Sequence, residues 1–150
     1  MGANDPSTGV DVLLVVARVF LALVFLHGGL RQIRFPELVA EVARNARPGK
    51  GPPEAVVRLA GVVATVAAAG IVLGVWIDLA AIALIAYLLP VTVQVHAFWR
   101  HTEPRKRRMV RTEFLMNVCV VGGLLMLLVW TNQAQHAPLA LTDTPALGRW

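Results

Sequence analysis

Charged and apolar positions are sharply segregated along this chain. Residues 59–77, 79–99 and 114–131 contain no Asp, Glu, Lys or Arg, and residues 12–30 are interrupted only by Arg18 and His27. A helix rises 1.5 Å per residue, so about 20 apolar residues cross a hydrocarbon core of about 30 Å. Each run is close to that length. The pattern predicts an all-α integral membrane protein, a four-helix bundle with spans over about 12–30, 55–77, 79–99 and 112–131. Each helix must bury its polar atoms against the others, so residues 1–150 are expected to form a single domain.

The first connector has a pattern of its own. Phe35, Leu38, Val39 and Val42 recur at helical spacing, opposite Arg34, Glu37, Glu41 and Arg44. That spacing predicts a short amphipathic helix lying on the inner membrane surface. Pro48, Gly49, Gly51, Pro52 and Pro53 then break the chain, and Glu54 suits the first turn of the second span. Pro90 predicts a kink near the middle of the third span. Small residues at Ala60, Ala64, Ala68, Gly70 and Gly74 in the second span, and at Gly122 and Gly123 in the fourth, predict close helix contacts.

Composition agrees with a membrane protein: 57% of residues are hydrophobic, 15% are charged, and the mean hydropathy is +0.64. The net charge of +5 reports orientation rather than nucleic-acid binding. All but three of the 14 Lys and Arg lie in two places. Arg31, Arg34, Arg44, Arg47 and Lys50 follow the first span, and Arg100, Arg105, Lys106, Arg107, Arg108 and Arg111 separate the third and fourth. The positive-inside rule puts both segments in the cytoplasm and both termini outside, as expected of a multi-pass membrane protein. Residues 1–17 carry no Lys or Arg, so a signal peptide is not expected there. Trp76, Trp99 and Trp130 fall at span boundaries, where an aromatic belt would place them. Arg105, Lys106, Arg107 and Arg108 anchor the topology and are candidate contacts for anionic lipid or an acidic partner. Cys119 is alone, which excludes a self-contained dithiol centre and leaves it as a small packing residue.

Polar groups inside a membrane are costly and mark candidate sites. His27 and His96 each stand about one turn, ~6 Å, from the basic end of their spans, and Asn117 about 9 Å. Arg58 and Glu113 lie near the same end, and Glu113 and Asn117 share a helix face. His27, Arg58, His96, Glu113 and Asn117 therefore form a candidate ligand or proton site. The competing structural reading is a self-satisfied polar knot in which Arg58 pairs with Glu113 and the histidines bond to Asn117 or backbone. No catalytic residue is assigned. Two histidines at matched depth suit bis-His haem ligation, but no second histidine pair or attachment motif accompanies them, which argues against haem. A zinc site from His27, His96 and Glu113 has little support, and no metal is assigned. Arg18 lies nearer the opposite end and is expected to be a structural buried charge, with Asp11, Asp78 or Tyr87 as partners.

Several of these residues fall in short ordered motifs. Arg18, then Phe25-Leu26-His27-Gly28 with Arg31, the connector Phe35-Pro36-Glu37-Leu38-Val39, His96-Ala97-Phe98-Trp99, the run from Glu113 through Asn117 to Gly122-Gly123, and Leu141-Thr142-Asp143 together resemble the DoxX family of small bacterial membrane proteins, which is related to MauE. Arg58 stands where that family often has an acidic residue. The resemblance implies a place in membrane redox systems, including quinone-linked thiosulfate oxidation and superoxide-detoxifying assemblies, often as a subunit whose own chemistry is undefined. The resulting expectation is a non-catalytic accessory or assembly subunit of a membrane redox complex, with the bilayer and other membrane subunits as partners. A quinone-interacting oxidoreductase subunit with histidines at its site is the first alternative, and a small-solute transporter the second. Quinone is the one cofactor this leaves in view.

Overall fold

A computed structural model describes residues 6–46, 51–133, 140–142 and 146–148. The described residues form helices α1 (Pro6–Arg34), α2 (Pro36–Ala46), α3 (Glu54–Leu73), α4 (Ile77–Val95) and α5 (Pro104–Gln133), with a 3₁₀ turn at Phe98–Arg100 and no strand. Four helices are long and apolar enough to cross a membrane, which makes the chain a small multi-pass, all-α membrane protein in contact with lipid. Their ends differ from the sequence expectation in a systematic way. α1 continues to Arg34, and α5 begins at Pro104 and carries the basic run Arg105–Arg108 in its first turns rather than in a loop. At 30 residues α5 is about 45 Å long, more than a hydrocarbon core needs, so its first turns can project into water. Of the described Lys and Arg residues only Arg18 is away from this basic end. The opposite end carries the α3–α4 turn and the described part of the C-terminal tail, and is called the tail end below.

α1 packs along α3, α3 against α4, and α4 against α5, while α1 and α5 barely touch. The core between them consists of Ala22, Phe25, Ala64, Ala68, Ile71, Ala81, Leu84 and Leu124. The α1–α3 seam is the closest. A Cβ on Gly61 would stand 2.8 Å from the Gly29 carbonyl and 2.7 Å from Gln32 Cβ, so only glycine lets these backbones meet. The predicted contact at Gly122 and Gly123 is not formed. Nothing lies within 4 Å of a Cβ on Gly122, and Gly123 reaches only Leu21 Cδ1, because this face of α5 turns toward the weak α1–α5 contact. Cys119 is exposed on α5 rather than packed in the core.

α2 does more than lie on a surface. It packs on α3 and α4 through Pro36 and Ala40, and its apolar side chains divide between two hollows, Val39 and Val42 toward one, Leu38 with the preceding Phe35 toward the other. α4 runs unbroken through Pro90, whose missing N–H leaves the Ala86 carbonyl without its usual helical donor.

The tail end is fastened by backbone groups. α3 stops at Leu73 because Gly74 turns left-handed (φ 69°), with Gly74 N–H bonding to Ile71 O and Val75 N–H to Gly70 O. Trp76 is also left-handed (φ 42°), a conformation that costs a bulky residue of order 1–3 kcal/mol. The tail crosses this turn: Leu141 N–H donates to Leu73 O, Thr142 N–H to Gly74 O, and Trp76 N–H to Thr142 Oγ1 at 3.0 Å. Beyond it the Asp78 carboxylate accepts Ala146 N–H at 3.0 Å and Leu147 N–H at 2.8 Å. Asp143, the last member of the Leu141-Thr142-Asp143 motif, lies outside the described residues, as do Arg47, Pro48, Gly49 and Lys50.

Candidate functional site

Polar and apolar groups meet in a cavity of about 580 Å³ at the basic end, where α2, α3 and α4 converge beside the last turn of α1. Val39, Val42, Val56, Val57, Ala60 and Val91 supply apolar walls. Gln32, Tyr87, Gln94 and His96 supply the polar groups. Ala86 and Pro90 also line it, so the helical hydrogen bond lost at Pro90 opens on the cavity side.

Two of these groups are paired with each other. Gln32 Nε2 donates to the Tyr87 hydroxyl, joining α1 to α4 across the seam that Gly29 and Gly61 draw tight. The Tyr87 ring is held edge-on to buried Phe25, with centroids 6.4 Å apart. Gln32 Oε1 is buried and accepts no hydrogen bond among the described residues. A buried amide oxygen left in that state costs about 1–3 kcal/mol, so a donor brought into the cavity would be favoured there.

His96 is positioned by the end of α4. Its N–H closes the helix on Thr92 O, Ala97 is buried, and the 3₁₀ turn sends Phe98 and Trp99 against Phe114 of α5. Those three rings meet edge to face, with centroids 5.1–5.7 Å apart. The residue next to Phe114 is Glu113, and its Oε2 lies 3.1 Å from His96 Nδ1. Their side chains are 23% and 41% exposed, so this contact orients the imidazole more than it stabilises the fold. A carboxylate on Nδ1 fixes the proton there and leaves Nε2 as the nitrogen able to accept one.

The remaining candidates are arranged differently from the sequence expectation. Glu113 pairs with His96, not Arg58: α3 and α5 are not packing neighbours, and Arg58 is exposed on α3. His27 is exposed on α1 and lines a separate groove, so the two histidines share a depth without sharing a site. Asn117 is half-buried one turn beyond Glu113 and does not line the cavity. Among the described residues no group of three or more His, Cys, Asp or Glu is placed to hold a metal. Arg18 is fully buried and engaged, with Nη1 3.0 Å from where a Cβ on Gly74 would stand. Of its expected partners, Asp78 binds the tail amides, Tyr87 bonds Gln32, and Asp11 is exposed. Gln32 is not among the residues the sequence singles out, and Tyr87 enters there only as an expected partner of Arg18. A lone tyrosine in a charge-free span was the available signal, since a buried phenol takes a partner.

The DoxX family model matches residues 13–97, from the first span to the residue after His96. The chain belongs to the DoxX family. No curated protein and no solved structure matches it. The family match takes in Arg18, His27, Gln32, Tyr87 and His96, whereas Glu113 lies beyond it on α5. In this DoxX chain the matched segment thus supplies the cavity, and the fourth span supplies the carboxylate that orients its histidine.

Proposed function

We propose that this DoxX protein is an accessory subunit of a membrane redox complex whose own contribution is to hold a quinone-type molecule at the basic end of the bundle. The observation that carries the reading is the convergence of Gln32, Tyr87, Gln94 and His96 on one otherwise apolar cavity of about 580 Å³. A quinone has matching chemistry: an apolar ring and tail for the valine and alanine walls, and two oxygens that alternate between acceptor and donor as the ring is reduced. Gln32 and Tyr87 suit one oxygen. His96 suits the other, because its Nε2 can take a proton from a quinol while Glu113 stabilises the resulting imidazolium. The quinol's second proton passes to water at the basic end and its two electrons to a redox centre on another subunit, which makes the chain an accessory component rather than a complete enzyme. By the positive-inside rule the basic end faces the cytoplasm of a bacterial cell, with both termini outside. A small-solute transporter fits less well, since the cavity is mostly apolar and confined to one end.

The test is purification of the chain from its own membranes in mild detergent, followed by solvent extraction and chromatography. Quinone in near-stoichiometric amount supports the reading. A quinone-free extract from a chain that arrives with a larger complex overturns the ligand role and leaves assembly alone.

A further inference from the structure

His27 and its neighbours build a second hollow on the other side of α1. Positions 27, 31 and 34 are spaced four and three apart, so they share one side of the helix, opposite Gly29 and the α3 seam. At the elbow where α1 gives way to α2, His27, Arg31 and Arg34 line a groove of about 560 Å³ together with Leu30, Phe35 and Leu38. The elbow is fixed by Phe35 N–H bonding to Arg31 O at 2.9 Å. The apolar members are strongly exposed, Leu30 at 43% and Phe35 and Leu38 at 49% each, which suits contact with acyl chains. Glu37 follows in the same elbow but does not line the groove.

We infer that this groove binds one anionic phospholipid, with His27, Arg31 and Arg34 around the phosphate and Leu30, Phe35 and Leu38 along its acyl chains. Two observations select a lipid over a free phosphate. The groove sits at the basic end of the α1 span, and half of its lining is apolar and exposed. Two exposed arginines beside such a surface attract an anionic headgroup, and each is worth roughly fivefold in binding near the membrane surface. Arginine also meets phosphate with a planar pair of donors, which gives the site geometric preference as well as charge. The basic run at Arg105–Arg108 offers no comparable apolar lining; its hollow is bordered by Pro104, Met109 and Thr112.

The test uses the full chain in nanodiscs of mixed phosphatidylglycerol and phosphatidylcholine, with retained lipid counted by native mass spectrometry after release into detergent. The wild type should retain phosphatidylglycerol in preference to phosphatidylcholine, and millimolar inorganic phosphate should not displace it. The pair Arg31→Gln and Arg34→Gln should lower retention by roughly 20- to 30-fold at an unchanged melting temperature. The pair Arg105→Gln and Arg108→Gln should leave it intact. Should the first pair disturb folding, Leu38→Asp, which sets a carboxylate in the groove, should lower retention in its place. Equal retention of the two lipids, displacement by phosphate, or loss through Arg105 and Arg108 instead would each overturn the assignment.

Discussion

Glu113 Oε2 stands 3.1 Å from His96 Nδ1, so α5 orients the imidazole that ends α4. The arrangement separates holding the ring from exchanging a proton, and the two can be tested apart. His96→Gln keeps a group able to bond Glu113 but cannot exchange a proton near neutral pH. It should melt within a few degrees of wild type while quinone-dependent activity in membranes falls by about 10²-fold or more. Glu113→Gln should lower activity less and leave bound quinone unchanged. A stable, fully active His96→Gln would remove the proton role.

The glycine seam makes an opposite pair of outcomes available. Gly61→Ala puts a methyl 2.8 Å from the Gly29 carbonyl and should destabilise the α1–α3 contact by about 1–3 kcal/mol. Gly122→Ala meets nothing within 4 Å and should be neutral or stabilising by up to about 1 kcal/mol, since alanine is the better helix former. Melting in detergent distinguishes them. Equal melting temperatures would show that the seam is looser than described.

Asp78 anchors the tail through two backbone donors. Asp78→Ala leaves both without an acceptor and should cost about 1–3 kcal/mol for each that stays buried. The tail should then be cleaved faster by protease, with α4 still folded. Asp78→Asn keeps one acceptor oxygen and should fall between. Unchanged cleavage in Asp78→Ala would show that the bonds of Leu141 and Thr142 suffice to secure the tail.

The proposed orientation, with the basic end in the cytoplasm, is open to direct labelling. With Cys119 replaced by Ser, a cysteine at Leu147 should react with an impermeant reagent applied outside intact cells, and one at Lys106 should react only after lysis. Labelling of Lys106→Cys from outside would invert the topology.

Much of this architecture was legible because charge-free runs have only one stable home, a bilayer, where helices satisfy their own backbone. The α2 helix was equally plain from the spacing of Phe35, Leu38, Val39 and Val42. Depth could be counted along each span at 1.5 Å per residue, and it singled out His96 and Glu113. Azimuth and helix order could not be counted. Arg58 matches Glu113 in depth but sits on α3, which does not neighbour α5, and His27 matches His96 but faces away from it. Gln32 was hidden between Arg31 and Arg34, where polarity reads as a membrane boundary. Asp78 lies 68 and 69 positions before the amides it accepts, beyond any local pattern.

The central claim is that the cavity between Gln32, Tyr87 and His96 holds a quinone. Its most direct test is photolabelling of the full chain in native membranes with a photoreactive quinone analogue, followed by peptide mapping. Label should appear within residues 56–60 and 86–96, be abolished by excess native quinone and be reduced by Tyr87→Phe. Label spread over the lipid-facing sides of α1 and α5, or label that native quinone does not displace, would contradict it.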